Sequence, residues 1–114
     1  MFKAESTYVV KGVEKVSSNV VRVMLEGEGT SLTLELPTSL ATFNSGDRVL
    51  VNLSSEKDPD YKSRWDIYMW GIVYYAGADA VRISVGGFIV VVSGLANKPN
   101  VGDKVYVGVK KMTP

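Results

Sequence analysis

Apolar and polar residues alternate with period two along most of this chain, a pattern that suits strands with one buried face and leaves no room for long amphipathic helices. Val21, Val23 and Leu25 fall on one side of such a strand, with Arg22, Met24 and Glu26 on the other. Leu32, Leu34 and Leu36 repeat the pattern, as do Val49, Val51 and Leu53, then Val81, Ile83 and Val85, and finally Val105, Val107 and Val109. Three further segments, Thr7 to Val16, Asp66 to Tyr75 and Phe88 to Val92, bring the set to about eight strands. The first two of these contain Gly12 and Gly71, where a bulge or sharp bend is expected. Gly27-Glu28-Gly29 and Gly77-Ala78-Asp79 read as hairpin turns, and Gly86-Gly87 as a two-residue turn that needs positive φ. Only Thr38 to Phe43, between Pro37 and Gly46, is expected to form a short helical turn.

Short antiparallel strands must stack or close, because an open margin invites aggregation, and mid-strand glycine bends favour closure. The pattern predicts an all-β, closed antiparallel barrel of about eight strands with little helix, of the oligonucleotide/oligosaccharide-binding (OB) type but enlarged beyond five strands. With 114 residues the chain is expected to be a single domain, residues 1–114, burying roughly two-thirds of its unfolded surface. A faint internal repeat suggests two similar halves around one core. Tyr8, Val13, Val21 and Arg22 recur as Tyr68, Val73, Val81 and Arg82, and Gly46-Asp47-Arg48-Val49-Leu50-Val51 recurs as Gly102-Asp103-Lys104-Val105-Tyr106-Val107. Either a duplication or the general likeness of valine-rich strands accounts for that.

Charge and composition exclude several functions. Thirteen Lys and Arg face 12 Asp and Glu, a formal charge of +1, so the concentrated positive field of a strong duplex-DNA binder is missing. No cysteine and no histidine are present, which removes thiolate and imidazole chemistry, and no serine stands in a nucleophile setting. No catalysis, cofactor or metal site is therefore expected, and a pair of carboxylates brought together from distant strands is the one catalytic arrangement left open. No segment approaches the roughly 20 apolar residues of a membrane span, and the first residues lack the plan of a secretory leader, so a cytoplasmic protein with no membrane partner is expected.

Two strands are apolar on both faces. Ile67 and Met69 oppose Tyr68 and Trp70, while Phe88, Val90 and Val92 oppose Ile89 and Val91. A small barrel has one interior, so the second face needs a cover. Either a partner protein or the chain's own short helix or a terminal segment supplies it, and Tyr and Trp favour the partner. Aromatic residues from Tyr61 to Tyr75, interleaved with Lys62 and Arg64, could stack the bases of a single strand, although ordinary strand packing accounts for them more simply. Glu56-Lys57-Asp58-Pro59-Asp60 reads as a solvated turn rather than a site for a hard cation, and Lys98 with Lys110-Lys111 as a soluble margin.

The doubly apolar strand also carries a resemblance. Ser63-Arg64 and Tyr68-Met69-Trp70-Gly71-Ile72-Val73-Tyr74, close to a family pattern Tyr-x-Met-Tyr-Gly-x-Val-Tyr, lead on to Val85-Gly86-Gly87-Phe88, Gly94-Leu95-Ala96-Asn97, Val105-Tyr106 and Lys110-Lys111-Met112. In this order and spacing the C-terminal half resembles the small eighth subunit of archaeal and eukaryotic nuclear DNA-directed RNA polymerases; the N-terminal half agrees in strand pattern. Trp70 replaces the Tyr of eukaryotic members, Val90-Val91 replaces their Met-Arg, and the Glu56 to Lys62 stretch is shorter than their acidic insertion, all of which suggests the compact archaeal form. The resemblance implies a non-catalytic accessory subunit that docks on the outside of the polymerase's largest subunit, near its funnel and pore side, and supports assembly and stability. It makes Tyr68, Trp70, Gly86, Gly87 and Phe88 interface candidates, to which the two-faced strand adds Ile89 and Val91. An autonomous single-strand nucleic-acid binder is the alternative, and strong direct nucleic-acid binding is not expected.

Overall fold

The computed structural model describes residues 2–112; Met1, Thr113 and Pro114, the ends of the expected domain, lie outside them. Eight strands follow in chain order: β1 (Lys3–Lys15), β2 (Val20–Glu26), β3 (Ser31–Pro37), β4 (Arg48–Ser54), β5 (Ile67–Ala76), β6 (Val81–Val85), β7 (Phe88–Ser93) and β8 (Lys104–Lys111). A 3-10 turn, Thr38–Leu40, sits in the segment expected to coil, and one turn of helix, α1 (Tyr61–Arg64), precedes β5. The strands close in the order β1-β2-β3-β7-β6-β5-β8-β4, every pair antiparallel, so the molecule is an all-β, OB-like closed barrel.

Alternation decides the interior. Val21, Val23 and Leu25 of β2, Leu32, Leu34 and Leu36 of β3, Val49, Val51 and Leu53 of β4, and Val105, Val107 and Val109 of β8 are all buried. A one-residue slip in any of these strands would turn all three apolar side chains outward, which is what pins the register. Phe2 and Phe43 join the core from outside the strands.

The two halves, β1 to β4 and β5 to β8, repeat one another about a pseudo-twofold axis. Val10 N–H donates to the Asp47 carbonyl and Gly46 N–H to the Val10 carbonyl; Val73 does the same with Asp103 and Gly102. Asp47 Oδ2 accepts the Asn44 amide and Asp103 Oδ2 the Asn100 amide, both at 2.8 Å. Where the halves meet, Val51 lies opposite Val109 and Leu53 opposite Val107, pairs that exchange under the same rotation. The repeat read from sequence therefore matches the structure at β4 and β8. In β1 and β5 the register differs, because Val10 takes the place of Val73; Tyr8 corresponds to Gly71 and not to Tyr68.

The two predicted bends part company. On β1 the register shifts between Val10 and Gly12, as expected. On β5 it shifts between Val73 and Tyr75, whereas the ladder with β8 runs unbroken through Gly71. Gly71 serves close approach instead. A Cβ there would land on the Ser84 carbonyl oxygen, 2.7 Å from Val85 Cγ2 and 2.8 Å from Ile83 Cγ2, so β6 can cross β5 only because no side chain intervenes.

Candidate functional site

β5 presents Tyr68, Trp70, Ile72 and Tyr74 on its outer face, while Gly71 and Val73 are buried within. The Trp70 side chain is 53% exposed, with Ile72 at 39% and Tyr74 at 46%, a degree of exposure unusual for large apolar groups sharing one strand face. Beside them runs an open groove of about 700 Å³. Leu36, Pro37 and Leu40 form one wall, Ile67, Met69 and Trp70 the other, and Val85, Gly86 and Phe88 lie between.

Tyr68 is covered by its own chain. Its ring stacks between Tyr61 of α1, with centroids 5.2 Å apart and planes at 21°, and Tyr106 of β8, 5.9 Å away at 12°. The Tyr68 hydroxyl accepts the Asp58 amide at 2.8 Å. So the chain itself covers Tyr68, but with α1 and not with the Thr38 to Phe43 turn expected from sequence, while Trp70 one pleat along stays open.

The loop ahead of α1 is tied down and not merely solvated. The Asp58 carboxylate accepts the Trp65 indole N–H at 2.9 Å, the Asp60 amide at 2.8 Å and Arg64 Nη1 at 2.9 Å. Those donors, Trp65 first and Asp60 next, hold its carboxyl below the usual 3.8. Trp65 is buried against Gly108, where a Cβ would come within 2.6 Å of the indole. Asp58 thus anchors α1, and α1 seats Tyr61 over Tyr68. Among the described residues no group of three or more Asp or Glu side chains is placed to hold a metal ion.

Four of the seven candidates read from sequence, Tyr68, Trp70, Gly86 and Phe88, come together on the groove. Gly86 and Gly87 have φ of 56° and 95°, so the two-residue turn they form accounts for both glycines without any partner. Ile89 and Val91 lie apart, half-buried on the outer face of β7. The Ile89 amide donates to Glu35 Oε1 at 2.9 Å, and Glu35 Oε2 meets Arg22, which also holds Glu14 at 2.6 Å. A chain of charges therefore borders that face.

Several groups at the site were not among the seven interface candidates read from sequence. Ile72 and Tyr74 continue the alternation that pointed to Trp70, so their exposure was readable. Leu36, Pro37 and Leu40 come from the distant β3 end, and nothing in the sequence joined them to β5. The same is true of Lys104, whose ammonium sits 4.3 Å from the Trp70 ring centre and 5.0 Å from that of Tyr106. Lys57 and Lys62 approach Tyr61 at 4.9 and 6.0 Å. Among the described residues none of these three lysines has a carboxylate partner.

Fold and site together define the class: a small OB-like barrel that carries an open, apolar, aromatic-walled groove on its outside. The model of the RpbG family of DNA-directed RNA polymerase subunits matches residues 3–112, and the chain belongs to that family. It is therefore one of the subunits of an RNA polymerase, part of a nucleotidyltransferase complex and a partner of that enzyme's other subunits. The match takes in the N-terminal half, where the sequence offered only a strand pattern. No curated protein matches the chain significantly. No helix among the described residues is long and apolar enough to cross a membrane.

Proposed function

We propose that this subunit docks on the largest subunit of the polymerase through the Trp70 groove, supports assembly and stability of the cytoplasmic enzyme, and performs no catalytic step itself. The observation that carries the reading is the exposed Trp70 beside an apolar groove on a member of a polymerase-subunit family. Aromatic anchors in pockets dominate protein interfaces, and Trp70, Gly86 and Phe88 form the centre of this one, with Tyr68 behind them. Gly87, Ile89 and Val91 extend the contact around the β6–β7 hairpin.

Purified largest subunit, titrated against the chain and against Trp70→Asp, tests the reading. Binding of the unaltered chain and its loss in the variant is expected. No binding of the largest subunit, or equal binding by both proteins, would refute it.

A second reading, single-stranded nucleic-acid binding, draws on Lys57, Lys62 and Lys104 poised over Tyr61, Trp70 and Tyr106. Against it stands the net charge of +1. Anisotropy of a labelled oligonucleotide across a salt series separates the two, since phosphate contacts weaken steeply with salt and apolar docking does not.

A further inference from the structure

Strand pairing is uneven at the groove. β8 accompanies β5 from Ile67 to Ile72, but β6 joins it only from Ile72 onward, so the stretch from Ile67 to Gly71 has a neighbour on one side alone. On the opposite wall β7 follows β3 only as far as Leu34, and Glu35 to Pro37 pair with β2 alone. The β6–β7 hairpin ends at Gly86-Gly87 between these two free margins, and the groove is the gap it leaves. Gly71 marks where the ladder stops, because β6 crosses β5 there and then turns into the hairpin.

Main-chain groups of an antiparallel strand point alternately to its two sides. Val73 exchanges hydrogen bonds with Asp103 and Gly102 on the β8 side. Counting back in twos, Gly71, Met69 and Ile67 also face β8, which leaves Trp70 and Tyr68 directing their N–H and C=O into the gap. Among the described residues no main-chain group pairs with them there. An unpaired margin between apolar walls is the kind of surface to which an extended segment adds as a strand. Lys104 stands across Trp70 on the β8 side and does not line the groove, so the walls of the gap suit an apolar segment.

We propose that the gap is a strand-addition site, filled by an extended segment of the docked polymerase subunit that hydrogen-bonds along Tyr68 and Trp70 and is apolar where it faces the groove. The proposal rests on the docking reading above and specifies its mode.

Hydrogen–deuterium exchange at single-residue resolution, on the free chain and on the chain within purified polymerase, tests it. Strand addition slows the Tyr68 and Trp70 amides at least about tenfold in the enzyme, while the Met69 and Gly71 amides, already paired with β8, change little. Tyr68 and Trp70 amides that exchange in the enzyme as fast as in the free chain overturn strand addition, and if the chain is still bound, docking by side chains alone survives. Failure of the purified largest subunit to bind is a separate result, which removes the docking reading itself.

Discussion

Gly71→Ala adds a single methyl group at the point where β6 crosses β5. The new Cβ would overlap the Ser84 carbonyl oxygen and approach Val85 Cγ2 and Ile83 Cγ2 at 2.7 and 2.8 Å. The oxygen belongs to the backbone and Ile83 is buried, so neither can swing aside as a flexible side chain would. Overpacking of a close contact costs about 1–3 kcal/mol, and a backbone obstacle puts this case in the upper part of that range. Alanine also restricts the unfolded chain, returning about 0.4–1 kcal/mol. The expected net loss is about 1–2 kcal/mol. Gly12→Ala is the matched control: its Cβ meets only Met24 Cε, at 3.0 Å, the free end of a flexible chain. There the two terms nearly cancel, and stability should stay within about 0.5 kcal/mol of the parent. Urea unfolding of both variants reads the difference, with the Gly71→Ala midpoint falling by about 1 M at an unchanged slope. Equal midpoints for the two variants would refute the reasoning that Gly71 serves close crossing.

Trp70→Ala should leave unfolding within about 0.5 kcal/mol of the parent, because the side chain is largely in solvent. Covering its exposed half removes about 100 Å² from water, so docking should weaken by about 2 kcal/mol, roughly thirtyfold in Kd, in a titration with the largest subunit. Asp58 has a folded pKa below its ordinary 3.8, so its stabilising contribution is complete above pH 3.8 and disappears as pH falls through the folded value. Asp58→Asn should therefore flatten the acid limb of a thermal-melt profile below about pH 4, and an unaltered limb would count against the anchor. Gly108→Ala drives a Cβ to within 2.6 Å of the Trp65 ring and should cost about 1–3 kcal/mol. In a Trp70→Phe background, where Trp65 is the sole indole, a red shift of fluorescence should accompany it, and an unshifted spectrum would show the ring undisturbed.

How far the molecule could be read in advance depended on whether the signal was local. Val21, Val23 and Leu25, with their counterparts in β3, β4 and β8, declared their facing because a period of two is written within each strand. The Gly-Asp turns before β4 and β8 revealed the repeat for the same reason, since Asp47 and Asp103 each cap an amide three residues back. In β1 and β5 the equivalence was missed because period-two strands look alike at several offsets, and only the hydrogen bonds of Val10 and Val73 choose between them. α1 was invisible: a single turn has no periodicity, and this one depends on Asp58 reaching forward to Arg64 and Trp65. Lys104 meets Trp70 only through the pairing of β5 with β8, a contact between residues far apart in sequence.

The surplus of apolar side chains was legible, and its resolution was not, because closure depends on the number of strands while the groove depends on their lengths. β6 has 5 residues and β7 has 6, between β3 with 7 and β5 with 10. Staves of unequal length close the barrel at one end and leave the taller neighbours standing free at the other. The free margins fall where the sequence places residues that are apolar on both faces: at Tyr68 the chain supplies α1 as a cover, and at Trp70 it supplies none. A strand with a spare backbone margin and a spare apolar face presents both halves of what an added strand needs, hydrogen-bond partners and a surface to bury against.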